Sequence, residues 1–308
     1  MKQPHGGGLD AACARWGGAR TDWLDLSTGI NPEPFPLPAL PPDAWTALPD
    51  RDAYDGLIAA ARAFWRVPDG AAVLPASGLS AVIAALPGVM PHDVAVDIPG
   101  PTYSEHGLAF RRTHRIAPDG AVRVLVHPNN PDGRMWDADA LDGRRFGIVD
   151  ESFCDVMPER SLIALAARPG RVVLKSFGKF WGLAGLRVGF AIGDPDLLRA
   201  LSDRMGPWAV SGPALAIGTA ALRDGAWAKA ARRRLARDAA RLDGLMAAHG
   251  RLVGGTALFR LYDCDAGALR DRLAARRIWS RAFDYDPRWL RLGLPPGSQW
   301  ARLEAALV

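Results

Sequence analysis

Leu174-Lys175-Ser176-Phe177-Gly178-Lys179-Phe180-Trp181-Gly182-Leu183-Ala184-Gly185-Leu186-Arg187-Val188-Gly189-Phe190 is the stretch around which the chain is organised. Arginine greatly outnumbers lysine: Lys2, Lys175, Lys179 and Lys229 are the whole lysine complement, and two of them fall here. A lysine amine loses its proton when desolvated and then attacks a carbonyl to form a Schiff base, which a guanidinium does not do. Lys179 lies just past a strand predicted over 171–175, on a glycine-hinged loop, with Ser176 three residues before it and Arg187 eight after it. Both neighbours are of types that bind anions. Read alone, the segment also fits a solvated loop lysine among turn glycines.

Working outward, 308 residues of which 49% are apolar can bury a large core and divide into one large domain and a smaller one. Strand-like and helix-like patterns alternate through the middle, as in an α/β fold. There is no apolar run long enough to cross a membrane, and Met1-Lys2-Gln3-Pro4-His5-Gly6 has no signal-peptide character. A soluble cytoplasmic protein without a membrane partner is expected. Cys13, Cys154 and Cys264 are scattered, odd in number and without a CxxC spacing, so they read as free thiols, and no metal site is expected from them. The net charge of +5 raises the question of a nucleic-acid partner. The basic triplet Arg232-Arg233-Arg234, however, lies in a helical run over 226–249, with Asp238 four residues after Arg234. That is the pattern of a solvated helix face, and no nucleic-acid partner is expected.

Several further stretches bear on chemistry. His5-Gly6-Gly7-Gly8 opens the chain, and Ser27-Thr28-Gly29-Ile30-Asn31-Pro32 leads into an arm with prolines at 32, 34, 36, 38, 41 and 42, which forbid a helix. A strand ending near Ala76 enters a helix through Ser77-Gly78-Leu79, where unpaired amides and the helix dipole suit a phosphate. Val94 to Ile98 reads as a strand followed by Pro101-Thr102-Tyr103. Val122 to Val126 is a strand running into Asn129-Asn130-Pro131-Asp132-Gly133, and Phe146 to Val149 is another, with Asp150 and Glu151 at its carboxyl end. Open parallel sheets place their ligands at such ends.

Ser176-x-x-Lys179-x-x-Gly182-Leu183-x-Gly185-Leu186-Arg187-x-Gly189 resembles the lysine segment of fold-type I aminotransferase-like enzymes that use pyridoxal 5′-phosphate (PLP). Within that family the chain is most similar to the branch of histidinol-phosphate aminotransferases and threonine-phosphate decarboxylases. The resemblance covers nearly the whole chain and implies a mostly parallel, mixed central sheet with helices on both faces, plus a smaller α+β domain. The division it implies is an arm over 1–45, a PLP-binding domain over 46–215 and a small domain over 216–308.

By the same resemblance Lys179 carries the cofactor's aldehyde, while Ser77, Gly78, Leu79, Ser176 and Arg187 hold its phosphate. The ring of Tyr103 stacks on the pyridine, Asn130 donates to the phenolic oxygen, and Asp150 keeps the ring nitrogen protonated. Arg291 receives the substrate carboxylate, with Arg281 as a second substrate arginine and His5, Gly6 and Asn31 contributed by the arm. A homodimer acting on a small phosphorylated amino acid is implied.

His-Gly-Gly followed by Ile-Asn-Pro resembles the opening of the decarboxylases, and Phe153 stands where aminotransferases commonly place a tyrosine. Decarboxylation of L-threonine O-3-phosphate is therefore ranked above transamination of a compound such as histidinol phosphate. A non-catalytic binding protein on the same fold comes last. Three departures stand out: Gly178 replaces a hydroxyl residue, Asp132 replaces a threonine, and Leu48 stands where a tyrosine often reaches the neighbouring subunit, leaving open whether Tyr54 substitutes.

Overall fold

The computed structural model describes residues 5–308, which group into two compact units. The larger comprises Pro34–Asn130 and Met135–Ala230; the smaller comprises the described residues up to Glu33, Pro131–Arg134 and Ala231–Val308.

The larger unit is built on a six-stranded sheet in the order Ala72–Ala76, Gly189–Gly193, Arg171–Ser176, Phe146–Asp150, Val122–Val126 and Val96–Asp97. The last four are mutually parallel, and Gly189–Gly193 runs antiparallel to both of its neighbours. Val122–Val126 has the bounds that its β-branched, apolar run predicts, and Phe146–Asp150 runs one residue past the apolar run that ends at Val149. In the sequence Leu186 to Ile192 reads as a strand, but the strand begins only at Gly189, because Ala184–Leu186 is a 3-10 turn and Arg187 takes a left-handed backbone (φ 56°) that no strand tolerates.

Alternation along these strands divides the side chains between two cores. Val124, Ile148, Val172, Leu174 and Ala191 pack with the helices Leu79–Ala85, Ser104–Phe110 and Pro195–Met205. On the other face Phe190 meets Trp65, at the end of the helix Arg51–Trp65, with ring centroids 4.9 Å apart. Both faces are thereby covered, as a buried, largely parallel sheet requires. The fold is α/β of the expected kind.

The proline arm from 34 onward belongs with this unit: the Phe35 amide donates to Trp181 O at 2.9 Å, and its ring is buried. The helix Gly225–Met246 spans the division between the units in sequence.

In the smaller unit four strands lie in the order Arg281–Phe283, Asp286–Gly293, Phe259–Cys264 and Gly250–Thr256, all antiparallel. In the sequence Gly255 to Leu261 reads as one strand, but the region is a hairpin that turns after Thr256. A short parallel pair joins Leu24–Asp25 to Ile278–Trp279. The helices Ala266–Ala275 and Trp300–Leu307 complete the unit.

Candidate active site

The two lysines of the opening segment have different fates. Lys175 is 1% exposed; its ammonium contacts Glu151 and lies 3.6 Å from Asp155 Oδ1 and 3.4 Å from Ser161 Oγ. Burial alone would lower its pKa, but the two carboxylates outweigh that and raise it, so its charge is fixed. Lys179 lies past the strand's end, half-buried, with Nζ 5.6 Å from the centre of the Phe153 ring. Strand alternation and the extra length of loop give the two lysines different surroundings.

Asp150 ends the Phe146–Asp150 strand on the face covered by the helix Ser104–Phe110, and it is 2% exposed. His106 Nε2, wholly buried on that helix, lies 2.8 Å from Asp150 Oδ2. The Ser152 amide and hydroxyl donate to Oδ1 at 3.0 and 2.6 Å. Burial pushes the Asp150 pKa up, yet the bond and charge of His106 and the two Ser152 bonds overcome it and hold the carboxyl below its usual value. A buried, ionised carboxylate fits a protonated ring nitrogen.

Tyr103 stands just before the same helix, its ring centroid 6.1 Å from that of His106. Burial, then the charges of Asp150 and Glu105, push its pKa to about 12, against the opposing pull of Arg187. Its hydroxyl stays neutral, which suits a stacking ring more than a base.

At the turn between Ala72–Ala76 and the helix Leu79–Ala85, Gly78 has φ 78° and caps the helix without a side-chain bond. A Cβ at this position would lie 2.8 Å from Arg187 Nη2, so the glycine lets the guanidinium lie against the turn. The Leu79 amide opens the helix, and Arg187, exposed, is held by a bond from Nη1 to Ala184 O at 3.1 Å. Its strained backbone is of the kind that a functional role preserves. Ser176 Oγ accepts the Gly178 amide at 3.3 Å and keeps its proton to donate. Ser77 is exposed, and its hydroxyl donates to Ala209 O. Asn129 bonds to Thr102 and Pro101 O, and Asn130 next to it is half-buried. Hydroxyl and amide groups, a cation and an ionised acid within one unit fit a phosphorylated, protonated pyridine.

The smaller unit holds the remaining expected residues. Arg281 and Arg291 are register partners on adjacent antiparallel strands, an arrangement that places like charges opposite each other. Arg291 is 6% exposed and donates from Nη2 to Ser27 O at 2.6 Å. Burial and then the Arg281 charge lower its pKa to about 10, while Tyr285 and Asp25 act the other way. Gly6 packs against this corner: a Cβ there would come 2.4 Å from Ser27 O and 3.3 Å from Arg291 Nη2. Gly7 is held by Ser27 Oγ and Trp279 Nε1. His5 is exposed. The Asn31 side-chain oxygen accepts from the Glu33 amide and from Arg234 Nη2, so it serves the arm's own structure.

His106 and Ser152 escaped sequence reasoning, although Tyr103-x-x-His106 places both rings on neighbouring turns of one helix start. The Tyr54 hydroxyl donates to Val210 O at 3.2 Å and accepts from Val210 N at 3.1 Å. His127, Glu151 and Cys154 bring three metal-ligating atoms together, all buried. Each is already engaged: His127 with Trp136 N and Arg160 O, Glu151 with Lys175, Ser161 and Leu162, and the Cys154 thiol with Met157 O. They form a structural polar network.

A half-buried lysine past the end of one strand and a buried ionised acid at the end of the neighbouring strand stand on one two-faced α/β sheet. The family model of aminotransferase class I and II matches residues 115–307, and the chain belongs to that family. It is 45% identical over 327 residues to the threonine-phosphate decarboxylase of Pseudomonas aeruginosa, covering 99% of this chain and 97% of that protein. The protein of the same name from Sinorhizobium sp is 42% identical, covering 95% and 93%. Among solved structures, the histidinol-phosphate aminotransferase of Sinorhizobium meliloti in complex with pyridoxal-5′-phosphate superposes with a TM-score of 0.81 at 20% identity, over 99% of this chain and 94% of that one; this likeness speaks to the fold.

Proposed function

We infer that the protein is a PLP-dependent decarboxylase that converts L-threonine O-3-phosphate to (R)-1-amino-2-propanol O-2-phosphate for cobalamin biosynthesis. The observation that carries this is the near full-length similarity, at 45% identity, to a threonine-phosphate decarboxylase.

PLP, when bound, supplies a sink for the electron pair left as the bond from Cα to the carboxylate breaks. Lys179 is the amine that would hold the cofactor, and Lys179 or a water would return a proton to Cα. The ionised Asp150, kept so by His106 and Ser152, holds the proton on the ring nitrogen. Tyr103 supports the ring face, and Asn130 donates to the phenolic oxygen. Gly78, Leu79, Ser176 and Arg187 take the cofactor phosphate, together with Ser77, whose hydroxyl must first leave Ala209 O.

The substrate carries a carboxylate and a phosphate, so it needs more than one cation. Arg291 and Arg281 take these anionic groups, with His5, Gly6 and Asn31 assisting. The cross-strand repulsion of the two arginines is relieved by a bound anion, which favours a doubly anionic ligand. Breaking the carboxylate bond releases CO₂, and the proton added at Cα balances the step.

The protein acts in the cytoplasm as a homodimer. A groove of about 710 Å³ on the larger unit, lined by Leu37, Trp45, Leu48, Leu183, Leu186 and Trp208, supports the dimer, since four of these are large apolar side chains more than half exposed. Leu48 stands in this groove. Residues 1–45, 46–215 and 216–308 serve as arm, cofactor domain and small domain.

The test is incubation with PLP and L-threonine O-3-phosphate. Stoichiometric CO₂ release without any added 2-oxo acid is expected. No CO₂, or turnover that requires an oxo-acid acceptor, would identify a transaminase instead. Phe153 favours the decarboxylase, because no tyrosine hydroxyl is present at that position.

A further inference from the structure

Lys179 stands in a turn whose other side chains are sunk into an aromatic core. Phe177, Phe180 and Trp181 are all wholly buried, and the Gly182 amide closes the turn on Lys179 O at 3.1 Å. Phe177 and Trp181 stack across the lysine, with centroids 5.1 Å apart and planes 10° from parallel. Trp181 also stacks on Trp227 at 5.2 Å and 14°. The Trp181 indole N–H is buried without an acceptor among the described residues, so packing alone holds the ring in place.

Phe35 closes this stack. Its ring stands edge-on to Trp181 at 6.0 Å and to Trp227 at 5.4 Å, and its amide donates to Trp181 O at 2.9 Å. Edge-on contacts to two ring faces are favourable quadrupole geometry. Pro34 and Pro36 flank it and restrict its backbone before any contact forms, so little freedom is lost on docking. Within an otherwise proline-stiffened arm this phenylalanine is 6% exposed, while Leu37, two residues on, is 65% exposed.

We propose that Phe35 is a positioning residue for Lys179: through Trp181 and Trp227 it locks the turn that aims the amine. The identification of the amine as the cofactor's anchor rests on the function inferred above; the locking of the turn does not.

The scarcity of lysine makes the test direct. The cofactor-free full chain is trace-acetylated with acetic anhydride, and the labelled peptides are quantified by mass spectrometry. Lys229, exposed, reports the reagent; Lys175, buried, reports global unfolding; Lys179 reports the turn. Phe35→Ala is expected to raise Lys179 labelling at least threefold relative to Lys229, and Phe35→Leu to raise it less, with Lys175 protected in Phe35→Leu. With PLP and substrate, kcat falls by a similar order in Phe35→Leu while KM stays within twofold. The proposal is overturned if Lys179 labelling is unchanged in both variants, or if in Phe35→Leu it rises only in step with Lys175. Normal labelling shifts in a protein that releases no CO₂ would leave the clamp standing and remove only the substrate assignment.

Discussion

Replacing His106 with phenylalanine keeps an apolar ring in a wholly buried place but takes away the donor to Asp150. The carboxylate would then retain only the two Ser152 bonds. Removing one partner of a buried charged pair costs about 3–5 kcal/mol. Because Ser152 still satisfies one oxygen, the loss should fall near the lower end, about 3 kcal/mol.

The pH dependence identifies the cause. In the wild type the folded pKa of Asp150 is depressed, so its contribution is present above the unfolded carboxyl value of about 3.9 and is lost as pH falls through the folded value. In His106→Phe burial has lost its main opponent and the folded pKa rises above the unfolded one. The folded variant then binds a proton that the unfolded chain has released, and its stability declines as pH climbs between those two values. The gap between variant and wild type is therefore small near pH 4 and largest at neutrality. Urea midpoints of the cofactor-free chain at pH 4.5, 6 and 7.5 measure it. A loss that is the same at all three, or no loss at pH 7.5, would refute the claim that His106 is what keeps Asp150 ionised.

Lys175→Met should cost about 3–5 kcal/mol by stranding Glu151 and Asp155, and Lys175→Met/Glu151→Gln should lose less than the single change; equal urea midpoints would contradict this. Because the Lys175 pKa is raised, its contribution is complete below the unfolded value of about 10.4 and fades only as pH climbs through the still higher folded value, so denaturant curves between pH 6 and 9 should not register it. With PLP saturating its own phosphate site, inorganic phosphate bound by Arg281 and Arg291 should stabilise the fold by about 2.7 kcal/mol at a hundred times its Kd, read as a rise in the thermal midpoint. Arg291→Ala should abolish that rise, and persistence of the full rise would exclude the arginine pair. Trp45→Asp, in the exposed apolar groove, should convert a dimer to a monomer in light scattering; a monomeric wild type would remove the dimer proposal.

Much of the fold was legible because short apolar runs ending in acidic or turn residues mark parallel strands on their own. Phe146–Asp150 and Val122–Val126 are of this kind. The start of the strand after Arg187 was not legible. Val188 continues an apolar run, and nothing local reveals that Arg187 adopts φ 56° to send its guanidinium back against Gly78. The hairpin around 250–264 was read as a single strand because Gly254 and Gly255 have no side chains to set the two-residue alternation. The register irregularity between Leu252 and Gly254 removes what periodicity was left.

At the candidate site, the residues proposed to touch the cofactor were visible as types at a spacing, and those that support them were not. Asp150 is conspicuous at a strand's end, but a sequence does not say whether a buried carboxyl will be ionised. That is decided by His106, forty-four residues away on a different element. Lys175 and Lys179 are equally basic in the sequence. One strand residue separates the direction of Lys175 from that of Ser176, so Lys175 turns into the face holding Glu151 and Asp155, where two carboxylates pin its proton. Lys179 lies beyond the pleat, in a turn set by rings. The pleat thus commits the first lysine to a buried charge network and leaves the placement of the second to the packing of Phe177, Phe180 and Trp181.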